Sequence, residues 1–404
     1  MGGKQALIFV IMLFSIWSCQ MNTEKHKSIS PESGRYIFLG HTYHWYSNDR
    51  IDFRIQSLDL KDYEMILLGG DICSESSHSD TSLLHIDSIF NISNPKVLWA
   101  IGNHDLRNGN LALIEKYTKR KSYYAKSING LTFLVLNTNF GHTNLSTEQK
   151  EDEYKNQLQL ISNLSDTITK SSHLIVLSHN VVWKDLDSTS RTFANVSKPY
   201  SFSADSSISF ITDIYPNLIK IQKKNIDVIW IAGDIGKWSK NYSFKSVDGI
   251  QFLASGINNT MFLKNPDKHP NPPKDKVLIF NYDKESKKLN WNFVDLNFLY
   301  FLSQLKEKGY PETKADSLCL QIDSLYRNQE EAISVYSKRI KNTKSWLNKV
   351  KEKAHKRDIP LKEMIYRDAR FLNDKMRKEK LNELYQLIPN PLFYQTNNST
   401  KHLE

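Results

Sequence analysis

Between Tyr36 and Val294 the chain repeats short runs of Val, Ile, Leu and Phe: Tyr36-Leu39, Met65-Leu68, Val97-Ile101, Phe133-Leu136, Leu174-Leu177, Val228-Ala232, Gln251-Ala254, Val277-Phe280 and Trp291-Val294. Runs of this length and composition, without alternation, predict strands buried on both faces. Helical material such as Asn156 to Leu164 and Leu218 to Lys224 falls between them, so the pattern predicts an α/β layered domain. Only three cysteines occur in 404 residues, Cys19, Cys73 and Cys319. That excludes a disulfide framework and a paired-cysteine zinc clip, and leaves the fold to rest on its apolar core.

Polar residues able to ligate a metal follow five of these strands, at the edge where an α/β sheet presents its site. They are Gly40-His41-Thr42-Tyr43-His44, Gly69-Gly70-Asp71, Gly102-Asn103-His104-Asp105, Ser178-His179-Asn180 and Gly233-Asp234-Ile235-Gly236. Turn chemistry explains the glycines and Asp71, but not the succession Asn103-His104-Asp105. Oxygen and imidazole donors suit Mn, Fe, Zn or Mg. There is no Gly-x-Ser-x-Gly elbow, no phosphate loop before Lys237 and no His-Glu-x-x-His helix, so other catalytic templates fail.

With Gly-Asp after one buried strand and Gly-Asn-His-Asp after another about thirty residues on, residues 35 to 296 resemble the calcineurin-like metallophosphoesterases. The resemblance implies a double-sheet α/β sandwich flanked by helices, one or two divalent ions, and attack of a metal-bound hydroxide on a phosphoric mono- or diester. It further implies Asp71 as the bridging ligand, Asn103 and His179 as second-metal ligands, His104 as donor to the phosphoryl oxygens, and Asp105 as the residue that orients His104. Two motifs depart from the family. Its opening Asp-x-His is here His41-Thr42-Tyr43, and its closing Gly-His-x-His is Gly233-Asp234-Ile235-Gly236. On this placement the second metal keeps Asp71, Asn103, His179 and Asp234, and the first keeps only His41 and Asp71, with Tyr43, His44 or Asp52 as possible helpers. The alternative is a catalytically degenerate envelope-anchored binding or assembly protein on the same fold.

The ends of the chain are of different character. Residues 1–19 place Lys4 before the apolar run Ala6 to Trp17 and then Ser18-Cys19. A run of 12 residues is too short to span a bilayer but suits a secretory signal. The junction at Cys19 resembles a bacterial lipobox, apart from the bulky Trp17, and implies an exported protein anchored in the cell envelope by lipid on Cys19. Residues 20–34 then read as a tether and 35–297 as the phosphoesterase-like domain. Residues 298–404 read as a basic helical region, with apolar residues at helical spacing at Trp346, Val350 and Ala354 and again at Leu361, Ile365, Ala369, Leu372 and Met376. From residue 300 onward the chain holds 21 Lys and Arg against 14 Asp and Glu, so +7 of the net +10 sits there. The expected partners are a phosphorylated substrate, the membrane through the N-terminal lipid, and anionic lipid or polysaccharide at the basic helices. Export and the lack of aromatic interleaving argue against nucleic acid.

Overall fold

The computed structural model describes residues 33–45, 49–183, 186, 209–235, 241–257, 260, 274–310, 317, 321 and 329–385. All nine expected strands form: β1 (Ser33–Leu39), β2 (Met65–Leu68), β3 (Val97–Trp99), β5 (Leu131–Val135), β6 (His173–Ser178), β7 (Asp227–Ala232), β9 (Gln251–Ser255), β10 (Lys276–Asp283) and β11 (Lys288–Asp295). Two more, β4 (Tyr124–Ile128) and β8 (Asn241–Lys245), carry few fully buried residues and lie at the two edges of one sheet.

Two sheets result, ordered β11-β10-β1-β2-β3 and β4-β5-β6-β7-β9-β8. The strands that carry the motifs run parallel, β1 with β2 and β3 in the first sheet and β6 with β7 in the second. Alternate side chains explain why these strands are apolar throughout. Tyr36, Phe38, Leu67, Phe133, Ile175, Leu177 and Ile231 pack between the sheets. Ile37, Leu39 and Leu68 face the other way, against α1 (Asp80–Phe90), α2 (Leu111–Thr118) and their loops. On the second sheet, Leu174, Val176 and Trp230 pack beneath α3 (Thr147–Thr167) and α4 (Tyr215–Gln222). The layering is helix, sheet, sheet, helix, and parallel strands covered on both faces need such apolar runs. Ser146 starts α3 with a capping box to Gln149.

β1 begins two residues inside the segment read as a tether. At the other end, α5 (Leu296–Glu307) straddles residue 297 and packs on the first sheet's helical side through Leu296 and Leu299. Buried Arg54 joins it there, donating to Asp52 at 2.6 Å, to Asp275 at 2.5 Å and to Asn297 at 2.8 Å. The basic helices α6 (Gln329–Asn342), α7 (Lys344–Arg357) and α8 (Leu361–Tyr385) bury their apolar stripes against one another, through Ile333, Ile340, Val350, Ala354, Ile365 and Ala369. Met376 of the expected stripe is about half exposed. Among the described residues, no helix is long and apolar enough to cross a membrane.

Candidate metal centre

Parallel strands point their C-terminal ends the same way, and the two sheets bring theirs together at glycines. A Cβ on Gly233, after β7, would fall on the Gly69 carbonyl oxygen after β2, and one on Gly102 would fall on the Asp71 carboxylate. Main-chain bonds tie the same loops, His41 N to Gly70 O at 3.0 Å and Asp234 N to His179 O at 2.7 Å. His41 and Asp71 have φ of 59° and 55°, a left-handed conformation uncommon for side-chain-bearing residues and concentrated at functional sites.

The approach gathers His41, Asp71, His179 and Asp234, all buried. One potential ligand atom from each of His41, His179 and Asp234 lies within 4.8 Å of the others. Asp71 joins them: its Oδ2 is 2.9 Å from His41 Nε2, and its Oδ1 is 3.5 Å from His179 Nε2. His41 Nε2 also stands 3.6 Å from Asp234 Oδ1, so the first and fifth motifs meet directly. His179 Nδ1 is 2.8 Å from Gly69 O. A carbonyl only accepts, so Nδ1 carries the proton and Nε2 presents a lone pair to the cluster. That buried Nε2 has no hydrogen-bond partner. An imidazole oriented through its other nitrogen, beside two carboxylates, fits a divalent ion. Asn180 completes the support, donating from Nδ2 to Asp234 Oδ2 at 3.1 Å while Thr138 Oγ1 donates to Asn180 Oδ1 at 2.6 Å.

The charges are strongly coupled. Burial opposes ionisation of Asp71, yet the histidines His179 and His41 hold it below the usual carboxylate range. Burial would lower His41, but Asp71 and Asp234 outweigh it and push the imidazole up to about 10. His104 is pushed down to about 4, by burial first and by the Arg107 cation, against the pull of Asp71. Its ring stacks on Tyr43 at 4.9 Å between centroids, and its Nε2 accepts from Arg107 Nη2 at 2.8 Å.

Asp105 does not orient His104. Its carboxylate is fully buried and accepts from the backbone N–H groups of Asp71, Ile72 and Gly102 at 2.8–2.9 Å, from Trp99 Nε1 at 3.1 Å and from Ser76 Oγ at 2.5 Å. It braces the second loop against the third. Asp52 is committed to Arg54, so it is not free to serve as the helper expected for a first metal. Tyr43 remains beside the cluster, its ring 5.3 Å from that of His41 and its buried hydroxyl without a hydrogen-bond partner. His44 is half-buried, with its backbone N–H on Arg50 O at 2.8 Å. Asn103 is half-buried and lines a cavity of about 450 Å³ with Leu106, Arg107, Asn108, His142 and Asn144. Sequence reading passed over Arg107 and His142, although Arg107 lies only three residues beyond His104. Gly236 and Cys19 lie outside the described residues.

A family model described as calcineurin-like phosphoesterase matches residues 36–200. Among solved structures, a metallophosphoesterase from Sphaerobacter thermophilus is similar at 8% identity and a TM-score of 0.26, covering 70% of this chain and 97% of that one. No curated protein matches. The matched stretch holds His41, Asp71, Asn103, His104 and His179 in order, while Asp234 reaches the same cluster from beyond it. Over residues 36–200, less than half of the chain, the sequence is therefore similar to the calcineurin-like phosphoesterases.

Proposed function

We propose that the protein hydrolyses a phosphoric ester, mono- or diester, at a divalent-metal centre held by His41, Asp71, Asn103, His179 and Asp234, on an exported and lipid-anchored chain. The observation that carries this reading is His179. Its Nδ1 is fixed on the Gly69 carbonyl, and its buried, unpartnered Nε2 shares one cluster with His41 and Asp234. A divalent ion bound there supplies Lewis acidity, lowering the pKa of water and polarising the phosphoryl oxygen.

The chain's own residues account for the rest. Asp71 is placed between the two histidines, with His104 N–H fixing its Oδ1 at 2.9 Å. Asn180 holds Asp234 by one oxygen and leaves the other toward His41. His104, on the loop after β3, has its Nε2 on Arg107, so its Nδ1–H is the donor it offers beside the cluster to the phosphoryl oxygens. Lys4, the apolar run after it and Cys19 support export and anchoring in the envelope. A hydrolysis screen of nucleotides, sugar phosphates and lipid phosphates with Mn, Zn and Fe tests the reading. Turnover that a chelator abolishes supports it, and no turnover with any of the metals contradicts it.

One observation favours the second reading, a retired hydrolase fold serving as an envelope binding or assembly protein. His41 stands where the family has an aspartate and lies 2.9 Å from Asp71, so as an imidazolium it balances the carboxylate that a metal would otherwise balance. Metal content separates the two readings.

A further inference from the structure

The cavity beside the cluster differs in character from the cluster itself. Its described lining is made of amides, Asn103, Asn108 and Asn144, with His142, one apolar side chain, Leu106, and one full cation, Arg107. Among these residues there is no carboxylate and no Phe, Tyr or Trp; the nearby Glu75 is engaged by Asn108 Nδ2 at 3.1 Å. Such walls offer no Phe, Tyr or Trp face for a base and no apolar wall for an acyl chain, and amides bond hydroxyls as donors and as acceptors. Arg107 is exposed and sits at the junction of cavity and cluster, with Nη2 on His104 Nε2. A guanidinium carries five N–H donors in a planar fork, so one contact with His104 leaves others for an oxyanion.

We propose that Arg107 is a substrate-binding residue that takes the phosphoryl oxygens of a doubly charged monoester, and that the amide-lined cavity receives the small hydroxylated alcohol of that ester. This narrows the phosphoester-hydrolase reading above and rests on it. A terminal phosphoryl group carries about two negative charges near neutral pH and a diester one, so a single added cation favours the monoester.

The test compares wild type, Arg107→Ala and Arg107→Lys on glycerol phosphate and on bis(p-nitrophenyl) phosphate with Mn²⁺, together with calorimetric titration of inorganic phosphate into each metal-loaded protein. Arg107→Ala is expected to raise KM for glycerol phosphate about tenfold or more and to weaken phosphate binding by a similar factor, with a loss of about threefold or less on the diester. Arg107→Lys, which keeps the charge without the fork, falls between. An equal fall of kcat on both esters, with KM and phosphate affinity unchanged, would show that Arg107 only holds His104, and overturns the proposal. Should wild type cleave neither these esters nor any substrate of the wider screen above, the hydrolase reading fails. The phosphate titration then still decides whether Arg107 binds the anion, since unchanged affinity in Arg107→Ala refutes it.

Discussion

Asp105 and His104 are neighbours in sequence with unrelated jobs, and the difference can be measured. Five donors converge on the Asp105 carboxylate, three of them backbone N–H groups of the metal-site loops. Asp105→Asn turns an NH₂ toward donors it cannot accept from, and the substitution should cost about 2–4 kcal/mol of stability. His104 is half-buried and holds no such bundle, so His104→Ala should leave the urea midpoint almost unchanged while lowering turnover by roughly 10²- to 10⁴-fold with metal retained. A matched fall in midpoint for both variants would contradict this division. The sequence placed both residues at the site because both follow a buried strand. It could not separate their roles, since what distinguishes them is which loop's backbone each one faces after folding.

At the scale of strands and loops, the site depends on how closely the ends of β2 and β7 approach. Gly233→Ala puts a methyl group on the Gly69 carbonyl, a backbone atom with no rotamer to yield, so the two sheets must part locally. The variant should unfold at lower urea and bind metal more weakly, whereas Gly141→Ala, where a Cβ meets nothing within 4 Å, is the control and should do neither. The interior strands were legible because both faces are buried, as in Met65–Leu68 and Leu174–Leu177. β4 and β8 were not, since edge strands such as Tyr-Ala-Lys-Ser-Ile leave alternate residues in solvent and resemble loop sequence. The ligand candidates His41, Asp71, His179 and Asp234 could be read from their place after strands. Asn180 was read there too, but its part in positioning Asp234, with Thr138 behind it, was not, because only the pairing of β5 with β6 brings their loops together.

Across the described residues, the two-sheet sandwich and the basic helices have separate apolar cores, so the helices are not there merely to cover the sheets. Several of their charges are already paired, Lys353 with Asp368, Arg367 with Glu363 and Lys375 with Glu379. If the basic surface meets anionic lipid, reversing Lys375, Arg377 and Lys378 together should weaken binding to phosphatidylserine vesicles at low salt, and salt should erase the difference. Unchanged vesicle binding would leave these helices as a solvated face. Anchoring is a separate matter: Cys19→Ala should move the protein from the membrane fraction to the soluble one, and retention in the membrane would show that lipid on Cys19 is not what holds it. Central to the proposed function is a metal held jointly by residues from the two sheets, with Asp234 where the resembled family has a histidine. Elemental analysis of the purified mature protein tests this most directly. Wild type should carry one or two transition-metal ions per chain, His41→Ala should keep one, and Asp234→Ala should carry none; a metal-free wild type, or equal metal in wild type and Asp234→Ala, would contradict it.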